Sequence, residues 1–163
     1  GENLVRSKIK NHVCFRLATV FGHSYRMRSD LLVNNFVFTA LKKEKLTLFE
    51  PHFRRNFIHV RDVSNAIIFT MKNFNKLKNN VYNLGLSSAN ISKIMLAKKI
   101  KKHYKKLKIQ IIKNRKDPDK RDYFVSNKKI EKKGFKATIS LDKGILELIQ
   151  VFKNDKNKVI NNY

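Results

Sequence analysis

A single cysteine, Cys14, occurs in the 163 residues, which excludes a disulfide framework and a zinc site built from cysteines. No run of about 18 apolar residues is present, so the sequence offers no membrane-spanning helix. The opening Gly1-Glu2-Asn3-Leu4-Val5-Arg6 lacks the apolar stretch of a signal peptide. It also lacks an initiator methionine, and on that ground further chain is expected ahead of Gly1. Acidic residues are scarce: 12 Asp and Glu stand against 37 Lys and Arg, for a formal charge of +25. No internal repeat is found.

A charge of that size points to an anionic partner, whether nucleic acid, an acidic membrane or a phosphorylated substrate, and says little about fold. Its make-up narrows the choice. Lysine greatly outnumbers arginine, with Asn and Ile alongside, as in Lys78-Asn79-Asn80 and Asn154-Asp155-Lys156-Asn157-Lys158. Nucleic-acid readers depend on arginine, whose planar fork grips phosphates and base edges. An AT-rich coding sequence produces the same lysine excess at solvated positions, so a generic solvated surface is preferred to a dedicated nucleic-acid face. The length fits one domain or one and a half small ones, and the 42% hydrophobic share supplies a core.

The apolar spacing predicts strands alternating with helices, an α/β organisation. Residues 1–11 read as the end of an amphipathic helix carrying Leu4, Val5 and Ile9, and residues 13–18 as a buried parallel strand. A loop is expected over residues 19–24 at that strand's C-terminal end. Asp30 is placed as the cap of a helix bearing Leu31, Leu32, Phe36, Phe38 and Leu41. Strands are expected at residues 46–49, 57–60, 81–85 and 109–112, with a short one at 123–125. Asp62 is expected to start a helix, Ser92 to cap one whose outer face is nearly all lysine, Ser126 to cap a short helix ended by Gly134, and Ser140 to cap the last, residues 141–152. Residues 1–152 form the folded part in this reading, and residues 153–163 a flexible polar tail.

Four blocks occur in order: Arg16-Leu-Ala-Thr-Val-Phe-Gly22, Arg55-Asn-Phe-Ile-His-Val-Arg-Asp-Val63, Val81-Tyr-Asn-Leu-Gly85 and Asp117-Pro-Asp-Lys-Arg-Asp-Tyr123. The ordered set resembles the extended short-chain dehydrogenase/reductases, the NAD(P)-dependent sugar-nucleotide epimerases and dehydratases, over roughly residues 1–150. The resemblance implies the C-terminal part of an NAD(P)-binding Rossmann-like protein, with its last Rossmann elements and a smaller substrate-binding α/β region. Members of that family also carry a glycine-rich strand–turn–helix and a Tyr-x-x-x-Lys catalytic pair. No Gly-x-x-Gly-x-x-Gly is present, and the only Tyr-x-x-x-Lys spacing, Tyr104 to Lys108, falls too far downstream. Glu2 fits the Glu that follows the pair, so the catalytic Tyr and Lys are expected upstream of Gly1 and no catalytic residue is assigned within the chain.

The resemblance implies NAD or NADP as cofactor, a nucleotide-diphosphate sugar as substrate, no metal, a cytoplasmic location and a homodimer when complete. The distributed lysine charge, in turn, implies that nucleic acid is met only non-specifically. Ala18 and Thr19 would face the nicotinamide, and Thr19 also the sugar. A loop at the C-terminal end of a parallel strand is where open α/β sheets bind ligands; the lesser alternative is that Thr19 merely caps the strand end. Arg55 matches the arginine that grips the diphosphate, for which a planar, permanent cation with several donors is suited. Arg54 is read as a surface charge.

Phe49 matches a base-packing position, with a core phenylalanine as the alternative. Leu32 matches a position whose backbone N–H meets substrate. Asn90 would contact the sugar or a phosphate, or else satisfy the turn before Ser92. Lys116 stands where relatives have a second arginine clamp; it keeps the charge but loses the bidentate fork, and Arg115 and Arg121 are close enough to substitute. Arg26-Met27-Arg28 is a further basic candidate. His59 is read as a structural residue of its strand rather than a catalytic one. The competing class is a non-catalytic basic domain that binds nucleic acid or acidic surfaces. It accounts for the charge but not for the ordered blocks.

Overall fold

The structure, a computed structural model, describes residues 1–113, 115–117 and 119–154. In chain order the elements are α1 (Glu2–Lys8), β1 (Val13–Leu17), β2 (Thr19–Phe21), α2 (Leu32–Lys43), β3 (Lys45–Leu48), β4 (Arg54–His59), α3 (Val60–Lys72), α4 (Phe74–Leu77), β5 (Asn80–Leu84), a 3-10 turn at Ser87–Ala89, β6 (Asn90–Ser92), α5 (Lys93–His103), β7 (Lys108–Ile111), α6 (Lys128–Glu131) and α7 (Leu141–Asn154). This is the expected α/β alternation. No helix among the described residues is long and apolar enough to cross a membrane.

β1 pairs in parallel with β5, from Val13 opposite Asn80 to Leu17 opposite Leu84. Ala18 continues that ladder by donating its N–H to the Leu84 carbonyl at 2.9 Å. The chain then changes partner. Thr19–Phe21, expected as a loop, is a strand paired in parallel with Phe57–His59 of β4. The expectation of a loop fails because Val20 and Phe21 pack on the core and their backbone groups pair with β4. β4 also takes β6 antiparallel on its first half, and β3 pairs with β7 in parallel.

Two apolar clusters lie on opposite faces of β4, as strand alternation requires. Phe57 joins Phe21, Val37, Leu46, Leu96, Ile100, Ile145 and Leu148, the seam between α2, α5 and α7. Ile58, the next residue, joins Ala18, Ala66, Leu77, Tyr82, Leu84 and Ile130. Both residues are fully buried.

Several helix starts differ from the sequence reading. α2 begins at Leu32 without a side-chain cap, because Asp30 is engaged by the Arg28 guanidinium at 2.8 Å and 2.5 Å. α3 begins at Val60, with His59 as its cap: the ring Nδ1 accepts the Arg61 N–H. Asp62 therefore lies inside the first turn, where its buried carboxylate accepts from Thr138 N, Thr138 Oγ1 and Ile139 N. α6 follows Asn127 rather than Ser126. Ser92 and Ser140 do accept the expected helix-start N–H groups, from Met95 and Lys143. α7 extends two residues beyond Phe152; the rest of the expected tail, residues 155–163, lies outside the described residues. Residues 123–125 form no strand. Tyr123 N donates to the Arg54 carbonyl, and Val125 N to Asn90 Oδ1.

Candidate functional site

The change of partner at Ala18 opens the sheet at the C-terminal ends of β1 and β2. Open α/β sheets place ligands at such switch points. A cleft of about 470 Å³ lies there, lined among others by Thr19, Gly22, Arg28, Leu31, Asn34 and Arg121. Its floor is fixed by a tight set of contacts. Asn34, fully buried on α2, accepts the Gly22 N–H at 3.0 Å and donates to the Arg28 carbonyl at 2.9 Å. Gly22 has φ +114°, and a Cβ on it would lie 2.3 Å from His59 Nε2, so glycine is required on both counts.

Arg55 is on β4, one residue before Asn56, and its side chain is 3% exposed. Its Nη1 donates to the Arg54 carbonyl at 2.8 Å, and its Nη2 lies 2.9 Å from Asp119 Oδ1. Asp119 also accepts Nε and Nη2 of Arg121, each at 2.7 Å. Arg121 and then Arg55 hold the Asp119 carboxyl far below the usual carboxylate range, against the opposing effect of partial burial. Tyr123 joins the two sides. Its ring centroid is 5.3 Å from the Arg55 guanidinium carbon, and its hydroxyl is 3.4 Å from Thr19 Oγ1. Residues from the first, second and fourth sequence blocks thus meet in one place.

None of the other expected site residues, Ala18, Leu32, Phe49, Asn90 and Lys116, is in the lining of this cleft. Ala18 is buried beneath Thr19. Leu32 is the first residue of α2, where backbone N–H groups have no intrahelical acceptor, and its side chain packs on the larger core cluster. Phe49 follows β3, is partly buried, and carries the Arg115 guanidinium 5.0 Å from its ring centroid. Lys116 is exposed and forms no ion pair among the described residues. Asn90 directs its amide to the backbone of Val125, donating at 3.0 Å and accepting at 2.9 Å, so it fastens the Tyr123 segment to β6. Arg28 is in the cleft wall, paired with Asp30.

His59 is fully buried against Phe21, with ring centroids 5.3 Å apart. Its Nε2 lies 3.3 Å from a Glu147 carboxylate oxygen without hydrogen-bond alignment, and burial lowers its pKa. That environment fits the structural reading.

Sequence reasoning did not single out Asp119 as the link between two arginines, although it lies within a quoted block. Lys93 gave no signal at all. A lysine in the first turn of a lysine-rich helix reads as surface, yet this one is 5% exposed, with Nζ 2.6 Å from Asp117 Oδ2 and 3.1 Å from the Phe49 carbonyl. Its ammonium also lies 5.1 Å from the Phe53 ring centroid. It ties the Phe49 loop and the Asp117 segment to the start of α5.

Among solved structures, the chain is similar to UDP-glucose 4-epimerase of Thermotoga maritima, solved with UDP-glucose, at 21% identity and TM-score 0.76 over 96% of this chain and 50% of that one. It is similar to dTDP-glucose 4,6-dehydratase of Bacillus anthracis, in complex with NAD, at 21% identity and TM-score 0.71 over 88% and 45%. It is also similar to ADP-L-glycero-D-manno-heptose-6-epimerase of Helicobacter pylori, at 24% identity and TM-score 0.71 over 93% and 48%. The chain spans about half the length of these structures, and the likeness establishes a Rossmann-like fold. The family model described as the NAD dependent epimerase/dehydratase family matches residues 2–85, just over half of the sequence. The chain belongs to the NAD-dependent epimerase/dehydratase family.

Proposed function

We propose that this chain is the nucleotide-sugar-binding portion of an NAD(P)-dependent sugar-nucleotide epimerase or dehydratase. The observation that carries the reading is the convergence of Thr19, Arg55, Asp119, Arg121 and Tyr123 beside a cleft at the strand ends. Two guanidiniums at such a cleft suit a diphosphate, and a threonine hydroxyl suits a sugar. Phe49, with its partly buried ring, offers a stacking face for the base.

The residues present fit one end of a dinucleotide. Thr19 places a small side chain in the cleft wall, next to the buried Ala18, leaving room for a flat ring, while no glycine-rich phosphate cradle exists in this sequence. NAD or NADP, when bound, supplies a hydride acceptor. The residues of this chain orient the sugar against it and hold the diphosphate. The glycine-rich loop and the Tyr-x-x-x-Lys pair belong to a segment outside this sequence. Apolar side chains left on the surface beside β1, Leu17 at 50% exposure and Leu4 at 63%, support such a covering segment.

Two measurements test the reading. Calorimetric titration of the 163-residue chain with UDP and dTDP should show saturable binding. Coupled assays with UDP-glucose or dTDP-glucose and NAD should show no turnover by the chain alone. Absence of any nucleotide binding contradicts the site assignment. Measurable NAD-dependent conversion by the purified chain contradicts the assignment of acid/base chemistry to another segment.

A further inference from the structure

The guanidinium of Arg55 faces Asp119 rather than open solvent. Its Nη2 is 2.9 Å from the carboxylate and donates to the Asp119 carbonyl at 3.3 Å, while its Nη1 is taken up by the Arg54 carbonyl. The same carboxylate receives the fork of Arg121 through two 2.7 Å bonds. One anion therefore bridges a 3% exposed guanidinium and a 71% exposed one. The exposed partner, Arg121, is also in the cleft wall with Thr19 and Arg28. A guanidinium pairs with carboxylate and with phosphate through the same parallel N–H groups. Asp119 and an incoming phosphate thus compete for the same donors.

We propose that Asp119 is a resident counter-anion holding the place of a ligand phosphate between Arg55 and Arg121, and that Arg121, once released from it, is the second cation on the diphosphate. The inference rests on the cleft being a nucleoside-diphosphate site and assigns its clamp residue by residue. Burying Arg55 without an anion would leave an uncompensated charge in the interior, and Asp119 supplies that anion. Asp119 is itself 42% exposed, so displacement returns its carboxylate to water at little desolvation cost. Arg121 has its fork aimed at the shared position, whereas Lys116 is exposed and outside the network.

The test is calorimetric titration of the 163-residue chain with UDP and with inorganic pyrophosphate. Asp119→Asn keeps the shape of the side chain and removes the competing charge, so both ligands should bind about tenfold more tightly, within the usual range of coupling between two binding events. Arg121→Ala should bind both about tenfold more weakly, and in the double variant the gain from Asp119→Asn should largely vanish. Asp119→Ser serves if the Asn variant folds poorly, with each variant checked by circular dichroism and thermal melting. Unchanged or weaker binding in both Asp119 variants, while the parent binds UDP, overturns the counter-anion role and leaves the nucleotide site standing. A gain that persists in full without Arg121 overturns its assignment as the second clamp. No UDP binding by the parent or any variant removes the nucleoside-diphosphate reading itself, and this inference with it.

Discussion

Asn56 and Gly85 fit together only because Gly85 has no side chain: a Cβ there would lie 1.7 Å from Asn56 Oδ1 and 3.0 Å from the Cβ of Ala18. Asn56 is fully buried and donates to the Leu86 carbonyl at 2.8 Å, so it holds the end of β5 against β4. The contact fixes the point at which the chain leaves β1 for β2, immediately beneath the cleft. Gly85→Ala should therefore destabilise the protein by about 3 kcal/mol, the cost of forcing extra volume into a packed interior. Urea denaturation measures it, and a loss within about 0.5 kcal/mol would show that Asn56 can simply move aside.

Asp62 supports the same region from the far side. Its 1% exposed carboxylate accepts two backbone N–H groups and a hydroxyl from Thr138 and Ile139. Asp62→Ala leaves those part-buried donors without their acceptor and should cost about 1–3 kcal/mol. Thermal and urea unfolding check the value. Stability equal to the parent would mean that water or another acceptor replaces the carboxylate.

Arg55→Ala should weaken nucleoside-diphosphate binding by at least about tenfold, equivalent to about 1.4 kcal/mol or more. Lys116→Ala should have a smaller effect, since Lys116 is exposed while Arg55 and Arg121 share the anion position. In a complete enzyme carrying this half, NAD affinity should change little on either substitution. Calorimetric titration of both ligands decides the matter, and a larger loss at Lys116 than at Arg55 reverses the ranking.

Asp142 on α7 accepts Lys99 Nζ at 2.6 Å and His103 Nε2 at 2.8 Å, tying α7 to α5. Lys99 first, then His103, hold its carboxyl below the ordinary value of 3.8, outweighing partial burial. A carboxyl with a depressed folded-state pKa contributes stability that is present above its unfolded value and lost as pH falls through the folded value. Melting temperature should therefore drop on acidification below about pH 4. Asp142→Asn should lower the neutral-pH melting temperature and flatten that acid limb. An acid limb of unchanged steepness would place the titration elsewhere.

The positive charge is spread over the surface. Lys98, Lys101 and Lys102 line the exposed face of α5, Lys105 lies in the turn after it, and Lys132, Lys133 and Lys136 lie near α6. Binding to duplex DNA should be weak, independent of sequence, and largely lost by about 200 mM salt. Fluorescence anisotropy against two unrelated duplexes tests this. A sequence-selective complex that survives such salt would favour the basic-domain reading.

The strand and helix alternation was legible because local apolar spacing is enough to distinguish the two periods. The elements expected at residues 13–18, 81–85 and 141–152 are observed, within one or two residues, as Val13–Leu17, Asn80–Leu84 and Leu141–Asn154. Helix starts were less legible. Asp30 and Asp62 both look like caps in sequence, but one is held by Arg28 and the other by a segment more than seventy residues away. Arg28 is close in sequence, but nothing local says that its pairing with Asp30 wins over a cap, and Thr138 leaves no trace near Asp62. The Thr19–Phe21 strand was missed for a similar reason: a three-residue strand exists only because β4 lies beside it.

The sequence by itself determined the α/β class and the four ordered blocks, because periodicity and motif order are properties of the linear chain. Only the tertiary structure decided what each charged side chain does. Lys93 is buried and Lys116 exposed, and Asp119 rather than solvent faces Arg55. A charge takes its role from the dielectric and the counter-charges around it, and those are set by residues brought together from distant parts of the chain.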